Sequence, residues 1–182
     1  MFPDLTRDDV FRIETKRLWL RWPRMQDAAA IERLAGVKDV AEMTATVPHP
    51  YPKGEAERFI FAARKGNATG QSLQLAIAPR NAPDKFVGLI GARMKAMDRA
   101  DMGYWIGEPH WSKGYATEAA QALVDAIFAY TEVTEMIASA RVINPASRNV
   151  IEKCGFQFVG SDMADAPARG GPLAVDRFRL AR

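Results

Sequence analysis

The chain has 182 residues, of which 48% are hydrophobic and 26% charged, with 25 basic and 22 acidic side chains and a formal net charge of +3. This length suits one domain with one substantial core, and the composition excludes a disordered chain. No run approaches the roughly 18 consecutive apolar residues of a membrane span, and residues 1–9 lack a signal peptide's apolar core, so a cytoplasmic protein is expected.

Other features narrow the function class. Basic and acidic residues are interspersed, without a cationic run or a basic helix face interleaved with aromatics, so direct nucleic-acid binding is not expected. A small positive excess is equally compatible with an anionic cofactor. Cys154 is the only cysteine, which rules out an internal disulfide and suits a reducing compartment. With only His49 and His110 besides, no metal-ligand spacing is recognisable and no metal is expected.

In chain order, Leu18, Leu20 and Trp22 alternate on one face and predict a first strand over 15–22. Asp27 to Ala35 reads as a short helix with Ile31 and Leu34 inward. Residues 36–54 read as irregular and proline-rich, and Ala56, Phe59, Ile60 and Ala63 define a second helix. Strands follow near 72–78, 86–94 and 101–107. Ala116, Ala119, Ala120, Leu123 and Ile127 share one face of a helix over about 114–130. A strand near 135–142, a helix capped by Asn144, and strands around 156–160 and 174–180 complete the series, with 162–172 as a long hairpin loop. The alternation indicates a single mixed α/β domain over 1–182, without repeat or linker.

Two stretches carry chemistry. The strand ending at Gly107 passes through a small-residue turn into the 114–130 helix, which leaves unpaired N–H groups at the positive end of a helix dipole. Gly114, Ala116 and Thr117 leave room for an anion, and Lys113 adds a charge. Neither G-x-x-x-x-G-K-[ST] nor G-x-G-x-x-G occurs, which argues against a P-loop NTPase or a Rossmann dehydrogenase. Alone, the glycine turn is equally an ordinary strand-to-helix connection. In the second stretch Asn144 is a good N-cap, Pro145 takes the first helical position, and Gly155 ends the helix. Ser147, Val150, Ile151 and Cys154 then share the inward face, which makes Cys154 a buried structural thiol. A serine there is either a small packing residue bonded back to its helix or a functional hydroxyl.

Trp111-Ser-Lys-Gly-Tyr-Ala-Thr-Glu-Ala119, followed by Asn144-Pro-Ala-Ser-Arg-Asn-Val-Ile-Glu-Lys-Cys-Gly-Phe156, resembles the two signature segments of the GNAT superfamily of acetyl-CoA-dependent N-acetyltransferases. The branch containing the ribosomal-protein acetyltransferases RimJ and RimL is the nearer match. Glu14-Thr-Lys-Arg-Leu-Trp-Leu-Arg21 resembles that branch's opening strand, and Phe86-Val-Gly-Leu-Ile-Gly91 its third. The resemblance implies a mostly antiparallel twisted sheet of about seven strands and about four helices, with the fourth and fifth strands splayed apart. It implies acetyl-CoA as the cofactor, its pyrophosphate on the backbone of Ser112, Lys113, Gly114, Tyr115, Ala116 and Thr117. The pantetheine arm would meet Trp105, Ile106 and Gly107 and touch Asn144, with Asn149 near the nucleotide. Trp111 replaces the superfamily's usual Gln or Arg, and Ser112 stands where Gly is frequent. The tyrosine that many members carry on the helix after the second segment is absent from 145–155, which leaves Ser147, or a water it holds, to assist the departing thiolate.

The reaction needs a neutral amine, oxyanion stabilisation and an acceptable leaving group. A backbone N–H of the 101–107 strand is the expected oxyanion donor. Glu108 and Asp101, at the two ends of that strand, are the candidate bases, although an amine that arrives neutral needs none. His49, Tyr51 and Trp111 are candidate wall residues for the acceptor, a small-molecule amine or a protein N-terminus, with packing of the 36–54 loop as the alternative reading. The bulk of Tyr104 and Trp105 favours an acetyl over a longer acyl group. A rival reading on the same scaffold is an idle acyl-CoA-binding or protein-interaction module. The resemblance is also compatible with a homodimer.

Overall fold

The computed structural model describes all 182 residues. Eight strands form one sheet: β1 Arg12–Glu14, β2 Leu18–Arg21, β3 Ser72–Pro79, β4 Gly88–Met94, β5 Arg99–Ile106, β6 Glu135–Arg141, β7 Gln157–Ala164 and β8 Leu173–Ala181. Five helices accompany them: α1 Ala28–Ala35, α2 Lys38–Glu42, α3 Glu55–Ala68, α4 Tyr115–Tyr130 and α5 Pro145–Lys153. The spatial order is β1-β2-β3-β4-β5-β6-β8-β7. Every neighbouring pair is antiparallel except β5 and β6.

Strand alternation divides the apolar residues between two layers. Leu73, Leu75 and Ile77 of β3, Ile90 of β4, and Ala100, Met102 and Ile106 of β5 join α4's Ala119, Ala120, Leu123 and Ile127 in the larger core. Ile151, Cys154 and Phe156 close it beneath α5. On the other face Ala76 and Leu89 pack with Ile31, Leu34 and Ala35 of α1 and Ala56 and Ile60 of α3. No helix is long and apolar enough to cross a membrane.

Three elements depart from the sequence reading. The expected strand at 15–22 is the second arm of a hairpin, since β1 pairs with β2 at Ile13↔Leu20. The segment expected to be irregular contains α2, which buries Val40 and Ala41 but spans too few residues to show a period. Strand β7 runs on to Ala164 past a bulge at Phe158/Gly160, which shortens the following loop to 165–172.

The site's support begins with a buried ion pair. Arg21 on β2 and Asp27 just before α1 are 3% and 1% exposed and meet in a bidentate contact of 2.8 Å and 2.8 Å. Arg21 Nε also donates to Pro83 O, and Asp27 accepts from Arg24 N. These bonds fix where α1 leaves β2. Further along, Leu34 of α1 lies so near Gly107 that a β-carbon there would stand 2.8 Å from Leu34 Cδ2. Close approach of α1, rather than backbone conformation, is thus what demands glycine at the end of β5, where φ is −60°.

Replacing Asp27 by Asn leaves the Arg21 guanidinium buried without a counter-charge. The expected loss is about 3–5 kcal/mol of unfolding free energy, measured by urea denaturation, and a change below about 1 kcal/mol would show that water reaches the pair.

Candidate active site

Strands β5 and β6 pair only from Arg99↔Glu135 to Met102↔Ala138. Beyond that point they part, because β5 stays in register with β4 as far as Ile106↔Gly88 while β6 stays with β8 as far as Arg141↔Val175. The gap therefore lies between residues 103–106 and 139–141.

The backbone groups that face the gap follow from the ladder. Lys95 N donates to Arg99 O at one end of the β4–β5 pairing and Gly107 N to Val87 O at the other, with an unbroken register between. Residues 101, 103 and 105 therefore bond to β4, and Tyr104 and Ile106 turn their N–H and C=O groups to the gap. The Ile106 carbonyl accepts the Trp111 indole N–H at 2.6 Å. The N–H groups of Tyr104 and Ile106 remain as donors. Of the three strand residues singled out from sequence, Ile106 presents its backbone to the gap, whereas Trp105 presents its own to β4 and Gly107 donates to Val87 O and accepts from His110 N.

At the open end the chain turns through Glu108–His110 and enters α4. Ser112 has φ 58° and Gly114 φ 74°, a left-handed pair flanking Lys113. A non-glycine residue in that region costs of order 1 kcal/mol. The N–H groups of Ser112, Lys113, Gly114, Tyr115, Ala116 and Thr117 have no acceptor in the protein, and the first α4 bond is Glu118 N to Gly114 O at 3.1 Å. Six adjacent donors at the positive end of a 16-residue helix make an anion cradle. Lys113 adds its charge at the rim, its ammonium resting on Pro109 O at 3.0 Å.

The cradle is anchored from the β1–β2 hairpin. Glu118 accepts from Thr15 Oγ1 at 2.6 Å, Arg17 N at 2.8 Å and Arg17 Nε at 2.6 Å, while Arg17 Nη1 donates to Lys113 O at 2.8 Å. Partial burial works to raise the Glu118 pKa, but the bonds from Thr15 and Arg17 outweigh it and hold the carboxyl below its ordinary value.

Helix α5 borders the same gap. Asn144 Oδ1 accepts from Ser147 N at 3.0 Å, the expected cap, and Asn149 lies exposed on the outer face. The Ser147 hydroxyl stands 2.9 Å from the Tyr104 hydroxyl, which also lies 3.1 Å from the Ser147 carbonyl. Sequence reasoning gave Tyr104 only bulk. The available signal was a phenol among the apolar residues at the end of β5, since a half-buried tyrosine hydroxyl usually finds a partner. Burial pushes that phenol up to about 12. Burial also raises the Cys154 thiol to about 11, its sulfur 3.9 Å from Thr117 O.

The candidate bases lie apart. Asp101 faces the same side of β5 as Trp105 and pairs with Lys95 at 3.1 Å, while Glu108 is exposed in the turn before the cradle. Beside Glu108, burial together with Lys113, Lys85 and Arg33 holds the His110 imidazole below its ordinary value, so it is neutral at pH 7. Of the wall candidates, His49 Nδ1–H donates to Gly36 O at 3.0 Å, and Tyr51 lies against Gly36 at the end of α1 with its phenol raised by burial to about 12. Trp111 stands at the head of the cradle, its indole N–H on the Ile106 carbonyl. Arg169, missed from sequence, joins the two loops on this side: it donates to Ala41 O at 2.6 Å, Thr44 O at 3.3 Å and Val47 O. Arg141, at the end of β6, donates to Glu42 O beside them.

Because the folded pKa of Glu118 is lowered, its contribution is complete above the ordinary value of 4.5 and disappears as pH falls through the folded value. Amide-exchange protection at the first α4 turn, relative to the rest of α4, is expected to drop across that acid range. Glu118→Gln should flatten the step; an unchanged step would assign the anchoring to other groups.

The chain matches the family model described as an acetyltransferase (GNAT) domain over residues 17–157. It is 27% identical over 168 residues to the uncharacterized N-acetyltransferase p20 of Bacillus licheniformis, covering 91% of this chain and 93% of that one. A solved RimL ribosomal L7/L12 alpha-N-protein acetyltransferase in complex with coenzyme A superposes with TM-score 0.79 at 18% identity, over 94% of this chain and 98% of that one. A spermidine N-acetyltransferase from Vibrio cholerae, bound to CoA and spermine, superposes with TM-score 0.75 at 18% identity, over 92% of this chain and 96% of that one. The cradle and the parted strands thus belong to a recognised family: the chain is a GNAT acetyltransferase, an enzyme that uses acetyl-CoA to acetylate amines.

Proposed function

We propose that the enzyme transfers acetyl directly to a primary amine within a ternary complex, with the amine a small molecule or a protein N-terminus. The observation that carries the site assignment is the unbroken run of six free N–H groups beside the divergence of β5 and β6. In this reading the backbone of Ser112 to Thr117 and the Lys113 side chain hold the pyrophosphate, and the pantetheine arm lies along Tyr104 to Gly107 and past Asn144, with Asn149 toward the nucleotide. A free N–H of Tyr104 or Ile106 stabilises the oxyanion, a contribution typically worth about 3–4 kcal/mol. Ser147 assists the departing thiolate.

Direct transfer is supported by the lack of an activated nucleophile. The Cys154 thiol stays protonated at neutral pH, and Ser147 has a phenol rather than a base beside it. Asp101, Glu108 and the neutral His110 are the groups from which a base would come. His49, Tyr51 and Trp111 form the acceptor wall, with Arg169 holding its loops. The two coenzyme-A-bound neighbours named above carry different acceptors in their names, a ribosomal protein and a polyamine, so the loops and not the sheet set the acceptor here. A cytoplasmic location agrees with the free Cys154 and the need for acetyl-CoA. A homodimer is supported by Phe158, Val159 and Met163, exposed on the outermost strand β7.

Calorimetric titration with acetyl-CoA, CoA and a nucleotide lacking the pantetheine arm tests the site. Micromolar binding that requires the arm is expected, and no binding would reject the cradle assignment. Ser147→Ala should lower kcat about tenfold or more with acetyl-CoA affinity nearly unchanged; unaltered kcat would remove Ser147 from the reaction.

The pH–rate profile then reports the acceptor class, because only the neutral amine attacks. For an α-amine, kcat/KM should level off near pH ~8, and for an alkylamine it should keep rising toward pH ~10. A profile flat from pH 6 upward would exclude both as the group titrated.

A further inference from the structure

Tyr104 on β5 and Ser147 on α5 are 43 residues apart in sequence, yet their hydroxyls meet at 2.9 Å at the edge of the gap. Both are held in place. The Tyr104 ring packs against the larger core, and the Ser147 backbone is tied to the Asn144 cap. The hydroxyl protons can rotate without moving these heavy atoms.

Two arrangements share these heavy-atom positions. A carbonyl can only accept, so in the 3.1 Å contact with Ser147 O the phenol is the donor. The phenol owns one proton; while that proton points at the carbonyl, Ser147 Oγ–H must be the donor in the 2.9 Å contact. If the phenol proton instead turns to Ser147 Oγ, the serine proton is released to point elsewhere. Rotation of two hydroxyls separates the states.

We propose that Tyr104 is a positioning residue for acetyl transfer: by turning its proton from the Ser147 carbonyl to Ser147 Oγ, it frees the serine proton to hydrogen-bond the sulfur leaving group. This rests on the reading of the gap as the pantetheine site. As the amine nitrogen bonds to the acetyl carbon, the C–S bond breaks and its electron pair stays on sulfur. Ser147 Oγ–H donates to that sulfur while Tyr104 Oη–H fills the lone pair on Oγ. Neither hydroxyl surrenders its proton. The amine's proton leaves to solvent, and the thiolate is protonated from solvent in turn. A phenol at about 12 keeps its proton against a thiolate whose conjugate thiol has a pKa of ~8.5. The tyrosine also competes with the bond a helical serine tends to make back to its own helix.

The test needs no acceptor. The ionisation of the thiol of bound CoA is followed by thiolate ultraviolet absorbance, with the desulfo-CoA complex as blank, for the full chain and for Tyr104→Phe, Ser147→Ala and the double variant. In the parent complex the thiol should ionise below its free value. Tyr104→Phe should raise that pKa by about half a unit, from the lost cooperativity of the chain of bonds, at unchanged CoA affinity. Ser147→Ala should raise it at least as far, and the double variant should match Ser147→Ala, because the phenol acts only through the serine. Fluorotyrosine at position 104 keeps the packing and makes a stronger donor, so it should lower the thiol pKa. A thiol pKa indifferent to Tyr104→Phe and to fluorotyrosine, or additive effects in the double variant, would overturn the proposal while leaving the cofactor site standing. Failure of the parent protein to bind CoA would overturn both.

Discussion

Everything at this site depends on β5 and β6 being unable to stay paired. Each is committed along its length to another neighbour, β5 to β4 and β6 to β8, and the parallel ladder between them lasts only from Arg99 to Met102 on the β5 side. Joining two adjacent parallel strands requires a crossover, which here is α4. The crossover has to start at the C-terminal end of β5, where the strands have parted. A slot with free backbone donors and a helix N-terminus are thereby brought to one place by connectivity alone. This is the α/β rule that ligands bind beyond the carboxyl ends of strands at a switch in strand order, arising here in a mostly antiparallel sheet.

Connectivity brings the cradle near the slot, but side chains give it its shape. Ser112 holds a left-handed backbone conformation that a non-glycine residue avoids, and Arg17 and Glu118 tie both sides of the turn to the β1–β2 hairpin. The pair is partly exposed, so its worth lies in geometry more than in Coulomb energy. The buried Arg21–Asp27 pair has a similar part on the opposite face. It fixes the start of α1, which in turn lies against Gly107 through Leu34. Strand β5 is clamped from both faces at the residues that border the slot.

The side proposed for the acceptor is built differently. Its two loops contribute no sheet pairing and are joined mainly by one guanidinium, Arg169, to backbone carbonyls of Ala41, Thr44 and Val47, with Ala168 N to Ala45 O beside it. Contacts to carbonyls are indifferent to the side chains of the loop, so the wall can change its residues while keeping its frame. On the proposed reading, that separation lets the acceptor vary without disturbing the cofactor side.

Much of this was legible in the sequence. Periodicity located α4, and its face of Ala119, Ala120, Leu123 and Ile127 is buried; Asn144, Pro145 and Gly155 marked the ends of α5; and the order of the two signature segments pointed to the family, because caps, turns and amphipathic faces are written in local residue spacing. Helix α2 was too short to show a period, and β1 was visible only through its partner. What sequence could not supply was which atoms of different elements meet: that Tyr104 reaches Ser147, that Arg169 spans two loops, that Ile106 rather than Trp105 faces the slot. Those facts depend on ladder register and on the parting of two strands. The sequence by itself determined most of the elements and the reaction class, whereas the tertiary structure alone decided which donors are left free, because a backbone group is free only when no neighbouring strand has taken it.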